Sequence, residues 1–261
     1  MIIKKTTDST TVSKVSALDL KSVKRQFGAL VAVEDISMTL RPGERRAVLG
    51  SNGAGKTTLF NLITGDLALS SGSVQFFGQD VSACSAQERV RRGMRRTYQI
   101  SLLFGNLSVL ENVYLACRGV VGGRYSLLLP KVNEAAMEQA TNLVRQVNLE
   151  EVMHSKVSKL SHGQQRQLEI SMALAGDPKL ILLDEPAAGL SPVERGDLVL
   201  ILDNLPKQIG YIIIEHDMDV ALRSAGSVTM MHNGRVFKEG TPYEIENDNE
   251  VQALYLGGNH D

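Results

Sequence analysis

Hydrophobic and polar positions change their period along this chain, and each change marks a change of element. Over residues 18–40, LDLKSVKRQFGALVAVEDISMTL, apolar and polar residues alternate well enough to predict antiparallel strands, and RPGE at 41–44 is a turn. A short apolar strand, RRAVLG, a Gly-rich loop, SNGAGK, and a helix opening with TTLFNLITG and ending at Gly65 come next. SGSVQFFGQDV reads as a further strand pair around a Gly turn. From about Ala86 to Ala175 helical periodicity takes over: Ala136, Ala140, Leu143, Val144 and Val147 fall on one helical face. Between two such helices, RGVVGGRYSLLLPK (residues 118–131) is a Gly-bearing loop closed by Pro130. Strand–helix alternation then resumes with KLILLDEP, a helix over residues 195–205, YIIIEH, another helix and a hairpin turning at Asn233-Gly234. The pattern predicts an α/β fold with an inserted helical block, and no internal repeat.

The loop between the first apolar strand and its helix carries chemistry. GSNGAGKT, residues 50–57, satisfies G-x-x-x-x-G-K-[ST] at every fixed position. Its glycines let backbone N–H groups curl around phosphates, and the helix N-terminus behind it favours an anion. Lys56 is expected to reach the β- and γ-phosphates and the Thr57 hydroxyl to take a Mg2+ position. LILLDE sets Asp184 and Glu185 just past a buried strand, at the sheet edge where ligands bind in such folds. Asp184 suits Mg2+ held through water, and Glu185 suits polarisation of an attacking water. Together these motifs predict a nucleoside triphosphate hydrolase.

Composition narrows the class without changing it. The 261 residues suffice for one large domain or two small ones, and 43% hydrophobic with 22% charged is ordinary for a soluble globular protein. A net charge of −1 gives no footprint for nucleic acid. The basic run RVRRGMRR, with Arg89, Arg91, Arg92, Arg95 and Arg96, reads as a solvated helix face. Cys84 and Cys117 lack metal or redox spacing and read as free thiols of a reducing compartment. No apolar run reaches the ~18–20 residues of a membrane span. Residues 1–15 lack the apolar stretch of a secretory signal and read as a flexible tail.

Leu160-Ser161-His162-Gly163-Gln164 resembles the signature sequence of ATP-binding-cassette (ABC) proteins, and it lies one short helix before the Asp184-Glu185 pair, as in that family. The resemblance covers about residues 18–257, with its parts in the family's order. It implies one ABC ATPase domain over residues 16–261: a P-loop core with a mixed sheet, an antiparallel β subdomain and an α-helical subdomain inserted at about residues 86–175. It further implies that Phe27 stacks on adenine and that Ser51, Asn52, Gly53, Ala54, Gly55, Lys56, Thr57 and Thr58 hold the phosphates. Mg2+ falls to Thr57, Asp184 and the Q-loop residue Gln99. Glu185 acts as base, His216 as switch histidine, and Ser161, Gly163 and Gln164 contact the γ-phosphate of a second subunit's ATP. AAGLSP, residues 187–192, matches the D-loop.

Departures from the family pattern are Ser51, where proline is common, the D-loop's GLSP, and His162, where glycine is common. A positive φ at His162 would cost on the order of 1 kcal/mol. LSHGQQRQLEI, DEPAAGLSPVE, RRTYQ, IIIEHDM, GRVFKEGTP and LYLG resemble ATPases of bacterial branched-chain amino acid importers; urea or short-amide importers and the lipopolysaccharide-export ATPase share much of this pattern. The resemblance implies a second cassette as dimer partner (homodimer or heterodimer), permease subunits, indirectly a periplasmic or extracellular substrate-binding protein, and a place on the cytoplasmic face of the bacterial membrane. A non-transport ABC ATPase acting on DNA or ribosomes fits less well, because this chain has one cassette and an insert too short for a coiled coil. A P-loop kinase fits less well, because it should not carry the signature.

Overall fold

The computed structural model describes residues 15–97, 103–120 and 133–256, so the tail expected over residues 1–15 lies outside it except for Val15. Strands β1 (Leu18–Phe27) and β2 (Leu30–Leu40) form the expected antiparallel hairpin, pairing Leu18 with Leu40 and Phe27 with Leu30. After β3 (Arg45–Leu49) and α1 (Lys56–Thr64), strand β4 (Ser71–Phe76) pairs with the other side of β1. The short β5 (Gln79–Asp80) completes a four-stranded antiparallel sheet, β2-β1-β4-β5.

Helix α2 (Ala86–Arg91) and strand β6 (Met94–Arg96) precede a helical layer of α3 (Val109–Val120), α4 (Glu134–Gln146) and α5 (His162–Ala173). The chain continues through β7 (Leu180–Asp184), α6 (Pro192–Asp203), β8 (Gly210–Ile214), α7 (Met218–Ser224), β9 (Ser227–His232), β10 (Arg235–Gly240), α8 (Pro242–Glu246) and α9 (Asn249–Leu256). The second sheet is six-stranded, β10-β9-β3-β8-β7-β6, parallel from β9 to β6 with β10 antiparallel at one edge.

Strands β7 and β8 are buried along their whole length because both faces of this sheet are covered. Alternation splits them between two cores. Ile181, Leu183 and Ile213 pack with α3, α4, α5 and α6 through Val113, Ala140, Leu168 and Leu202. Leu180, Leu182, Ile212 and Ile214 pack with α1 and the antiparallel sheet through Phe60, Leu20 and Ile36. Each such apolar side chain contributes roughly 1.5–3 kcal/mol of burial. This sandwich holds the C-terminal ends of β3, β7 and β8 in fixed register, and the polar motifs sit there.

The helical block begins later than the periodicity from Ala86 suggests. Met94–Arg96 is an edge strand of the six-stranded sheet, with Met94 opposite Leu180 and Arg96 opposite Leu182. Three residues are too few to reveal a period of two, and two of them are arginines. Helix α6 begins at Pro192 rather than Arg195, because Ser191 and Glu194 form a capping box and proline suits the first helical turn. The expected face of α4 is buried as read: Ala136, Ala140, Leu143, Val144 and Val147. Of residues 118–131, Arg118 to Val120 end α3 and the rest lie outside the described residues.

Candidate nucleotide site and signature helix

The phosphate loop joins β3 to α1, and its glycines are required by close approach. A Cβ on Gly50 would stand 2.4 Å from Met231 O, and one on Gly55 2.4 Å from Ala32 O. Gly55 also has φ 97° at the cap of α1, a backbone state that side chains disfavour. Ser51, Asn52, Gly53 and Thr57 are exposed, Thr58 is half-buried and Ala54 is packed beneath the loop. The Lys56 Nζ lies across the loop and donates to Gly50 O at 2.7 Å and Ser51 O at 3.0 Å. Burial pushes the Lys56 pKa down, and the nearby carboxylates of Glu185 and Asp184 oppose that shift. The exposed Phe27 ends β1, with the Arg25 guanidinium 4.5 Å over its ring. The strand that follows Phe27 touches the loop through Ala32 and Gly55.

Asp184 ends β7 and is buried. Its Oδ2 pairs with Arg96 Nη2 at 2.8 Å, and its Oδ1 has no hydrogen-bond partner. Glu185 follows with φ 47°, a left-handed conformation that Cβ sterics disfavour. Its N–H donates to Ile214 O at 2.9 Å, which ties it to the end of β8. Its carboxylate Oε2 lies 3.8 Å from Nδ1 of the exposed His216, which follows β8. Asp184, Glu185 and His216 thus come from the ends of the adjacent strands β7 and β8, and Lys56 from the start of α1 behind the loop that follows β3. Gln99 lies outside the described residues.

The oxygen donors suit Mg2+. A buried carboxylate oxygen without a partner on Asp184 and an exposed hydroxyl on Thr57 are the few hard ligands that this ion takes when phosphates and water supply the rest. Among the described residues no group of three or more His, Cys, Asp or Glu could hold a metal alone.

The signature segment stands apart from these groups. Helix α5 begins at His162, with Ser161 as its cap. Ser161 Oγ accepts from Gln164 N at 3.2 Å, and Gln164 Oε1 accepts from Ser161 N at 3.0 Å. This reciprocal capping box settles the conformation of His162: it is the first helical residue and has no positive φ, so no strain follows from its side chain. Its ring lies over Gly189, where a Cβ would stand 3.1 Å from Cε1. Gly163 N donates to Glu194 Oε1 at 3.2 Å, so the capping carboxylate of α6 also serves the N-terminus of α5. The cleft here is lined by Ser161, Gly163, Gln164, Arg166 and Glu194, together with other residues of α5 and 190–198, and by none from the phosphate loop.

Sequence reading missed several residues around the site. Arg89 and Arg96 are not a solvated face. Arg89 is 2% exposed and donates to Leu62 O at 2.7 Å and Ile63 O at 2.6 Å, capping the C-terminal carbonyls of α1. Arg96 joins Asp184 to Asp66 at the end of α1. Glu215 is fully buried between Ile214 and His216. Its Oε1 accepts from Ala187 N at 2.8 Å, its Oε2 has no partner, and burial raises its pKa. A carboxylate closing an otherwise apolar strand was the available signal. Arg166, buried in α5, pairs with Glu169 and donates to Glu185 O at 3.1 Å.

Comparison with known proteins agrees with this geometry. Residues 33–188 match the family model described as ABC transporter. The branched-chain amino acid transport ATP-binding protein BraF of Pseudomonas aeruginosa is 31% identical over 248 residues, covering 92% of this chain and 97% of BraF. LivG of Escherichia coli is 32% identical over the same shares of chain and relative. The lipopolysaccharide export ATP-binding protein LptB of Haemophilus influenzae is 31% identical, covering 93% of this chain and 98% of LptB. Among solved structures, the ATP-binding cassette MJ1267 in its ADP conformation superposes with TM-score 0.82 at 30% identity, covering 93% of this chain and 99% of MJ1267. The chain belongs to the ABC transporter family, as an ATPase cassette homologous over nearly its whole length to branched-chain amino acid importer ATPases. Nucleotide binding comes with the fold, and among the described residues no helix is long and apolar enough to cross a membrane.

Proposed function

We propose that this protein is the ATP-hydrolysing subunit of an importer for branched-chain or other amino acids, working with Mg2+ on the cytoplasmic face of the bacterial membrane. It pairs head-to-tail with a second cassette and drives permease subunits that receive cargo from a substrate-binding protein. The observation that supports this reading is a site in two separated halves. Lys56, Asp184, Glu185 and His216 converge at strand ends, whereas the N-terminus of α5 opens into a cleft with no phosphate-loop residue. A second copy or a related cassette brings the halves together around one nucleotide.

In that arrangement the loop N–H groups and Lys56 bind and orient the phosphates, and Phe27 receives the base. Thr57, Asp184 and the Q-loop Gln99 hold Mg2+, which when bound neutralises phosphate charge. Glu185 takes the proton of the attacking water, and His216 fixes that water against the γ-phosphate. Ser161, Gly163 and Gln164 close the site from the other subunit at the N-terminus of α5. Catalysis is positioning plus charge stabilisation, since phosphoryl transfer asks little covalent chemistry of the protein.

The test is Glu185→Gln, assayed for nucleotide binding, dimerisation and turnover. Retained binding with a trapped ATP dimer and nearly abolished turnover supports the assignment; turnover at the wild-type rate overturns it. With permeases reconstituted, stimulation by a leucine-loaded binding protein supports amino-acid import, and stimulation by lipopolysaccharide instead overturns it.

A further inference from the structure

Arg166 has no part in the chemistry described so far, yet it reaches the backbone of the proposed base. It lies on α5, two residues beyond the signature's Gln164, and is 7% exposed. Among the described residues, its Nη1 pairs with the Glu169 carboxylate, also buried, and its Nη2 donates to Glu185 O at 3.1 Å. Glu185 needs such a hold. Its φ of 47° is disfavoured for a residue with a side chain, and such a state persists only where the surroundings over-determine it. Ile214 O fixes its N–H, and Ala188 N and Arg166 both donate to its carbonyl oxygen.

We propose that Arg166 is a positioning residue for Glu185, so that the signature helix of each subunit also frames that subunit's own base. The inference rests on the reading of Glu185 as base. The N-terminus of α5 faces another subunit's nucleotide in the proposed dimer, while Arg166 on the same rigid helix grips the residue that works on its own. A shift of α5 on closure at one nucleotide therefore reaches the base at the other. Arginine suits the task because its planar fork serves a carboxylate and a carbonyl at once, and an ammonium offers one point charge in place of that fork.

The test compares Arg166→Met/Glu169→Gln, which removes the pair without leaving a buried charge, with Glu169→Gln and Arg166→Lys. Steady-state ATP turnover and nucleotide binding are measured on the full chain. The double variant is expected to lose roughly 10- to 100-fold in kcat with KM for ATP nearly unchanged, the signature of a displaced reacting group. Glu169→Gln keeps the bond to Glu185 O and is expected to turn over near the wild-type rate, with Arg166→Lys intermediate. Equal losses in Glu169→Gln and the double variant assign the pair to structure alone and overturn the inference, as does a raised KM with unchanged kcat. Should the double variant fail to fold, Arg166→Lys against Glu169→Gln decides: loss only in the former supports it, equal values overturn it. Glu185→Gln run in parallel separates the two levels, because wild-type turnover there overturns the base assignment itself.

Discussion

The Arg96 guanidinium donates to Asp184 Oδ2 at 2.8 Å, and the same side chain pairs with Asp66 at 3.0 Å, beyond the end of α1. A buried cation therefore stands beside the carboxylate proposed for Mg2+, while Asp184 Oδ1 keeps a free lone pair. The arrangement compensates Asp184 before any metal arrives and ties the end of β7 to the phosphate-loop helix.

Replacing Arg96 by Met should leave the buried Asp184 without its paired cation, with Lys56 as the remaining nearby positive charge, and destabilise the protein by about 3 kcal/mol in the absence of metal. A divalent cation then takes over the missing charge. With ADP present throughout, the rise in unfolding midpoint between EDTA and Mg2+ is expected to be larger in Arg96→Met than in the wild type. An equal rise would show that Arg96 does not compensate the metal carboxylate.

Arg89 makes a different prediction, about the end of α1 and the turn before α2, where it also donates to Ser82 O and Cys84 O. Its removal leaves the carbonyls of Leu62 and Ile63 buried without donors. At about 1–3 kcal/mol for each unsatisfied group, Arg89→Met is expected to lower stability to urea by roughly 2–6 kcal/mol. Arg89→Lys, which can reach one carbonyl, should fall between the two.

The stability of the chain should also carry an acid limb with a named origin. Glu88, Glu111, Glu194 and Glu244 each accept from the backbone N–H and then the hydroxyl of a capping residue, Ser85, Ser108, Ser191 and Thr241, and each carboxyl is held below its usual 4.5. A lowered folded pKa adds stability that is fully present above 4.5 and is lost as pH falls through the folded value. The unfolding midpoint of the wild type is expected to drop on acidification below about 4.5, and the fourfold Glu→Gln variant, which keeps the four capping hydrogen-bond pairs without the charge and gives up only the bond from Gly163 N at position 194, to drop less. Parallel curves would assign the acid limb to other carboxylates.

Local patterns carried the legible part of this molecule. The phosphate loop, the β7 run into Asp184-Glu185 and the α4 face are contiguous in sequence, so period and composition reveal them. What stayed hidden depends on distant partners. Arg89 looks like a surface charge until the carbonyls of α1 are placed against it. Nothing local says that Glu194, whose one oxygen caps α6, meets Gly163 with the other. A positive φ at His162 was worth costing only while its place as the first residue of α5, behind the Ser161–Gln164 capping box, was hidden. Arg166, Glu215 and the β6 edge are likewise products of tertiary packing.

Gly163 and Glu194 supply the final prediction, because they occupy one space. A Cβ on Gly163 would stand 2.4 Å from Glu194 Oε1 and 2.8 Å from its Cδ, so alanine must displace the carboxylate from the α5 N–H and disturb the α6 capping box that its other oxygen makes. In the wild-type background Gly163→Ala should therefore destabilise, although alanine in a helix is worth up to ~1 kcal/mol over glycine. In a Glu194→Ser background the clash is gone, and the same substitution should be neutral or stabilising, a coupling that a double-mutant cycle of urea unfolding measures directly. Turnover is expected to stay low in the double variant, since the proposed dimer needs both the N-terminal residues of α5 and an intact Gly163 against the partner's phosphate. Recovery of turnover together with stability would mean that this glycine serves Glu194 alone.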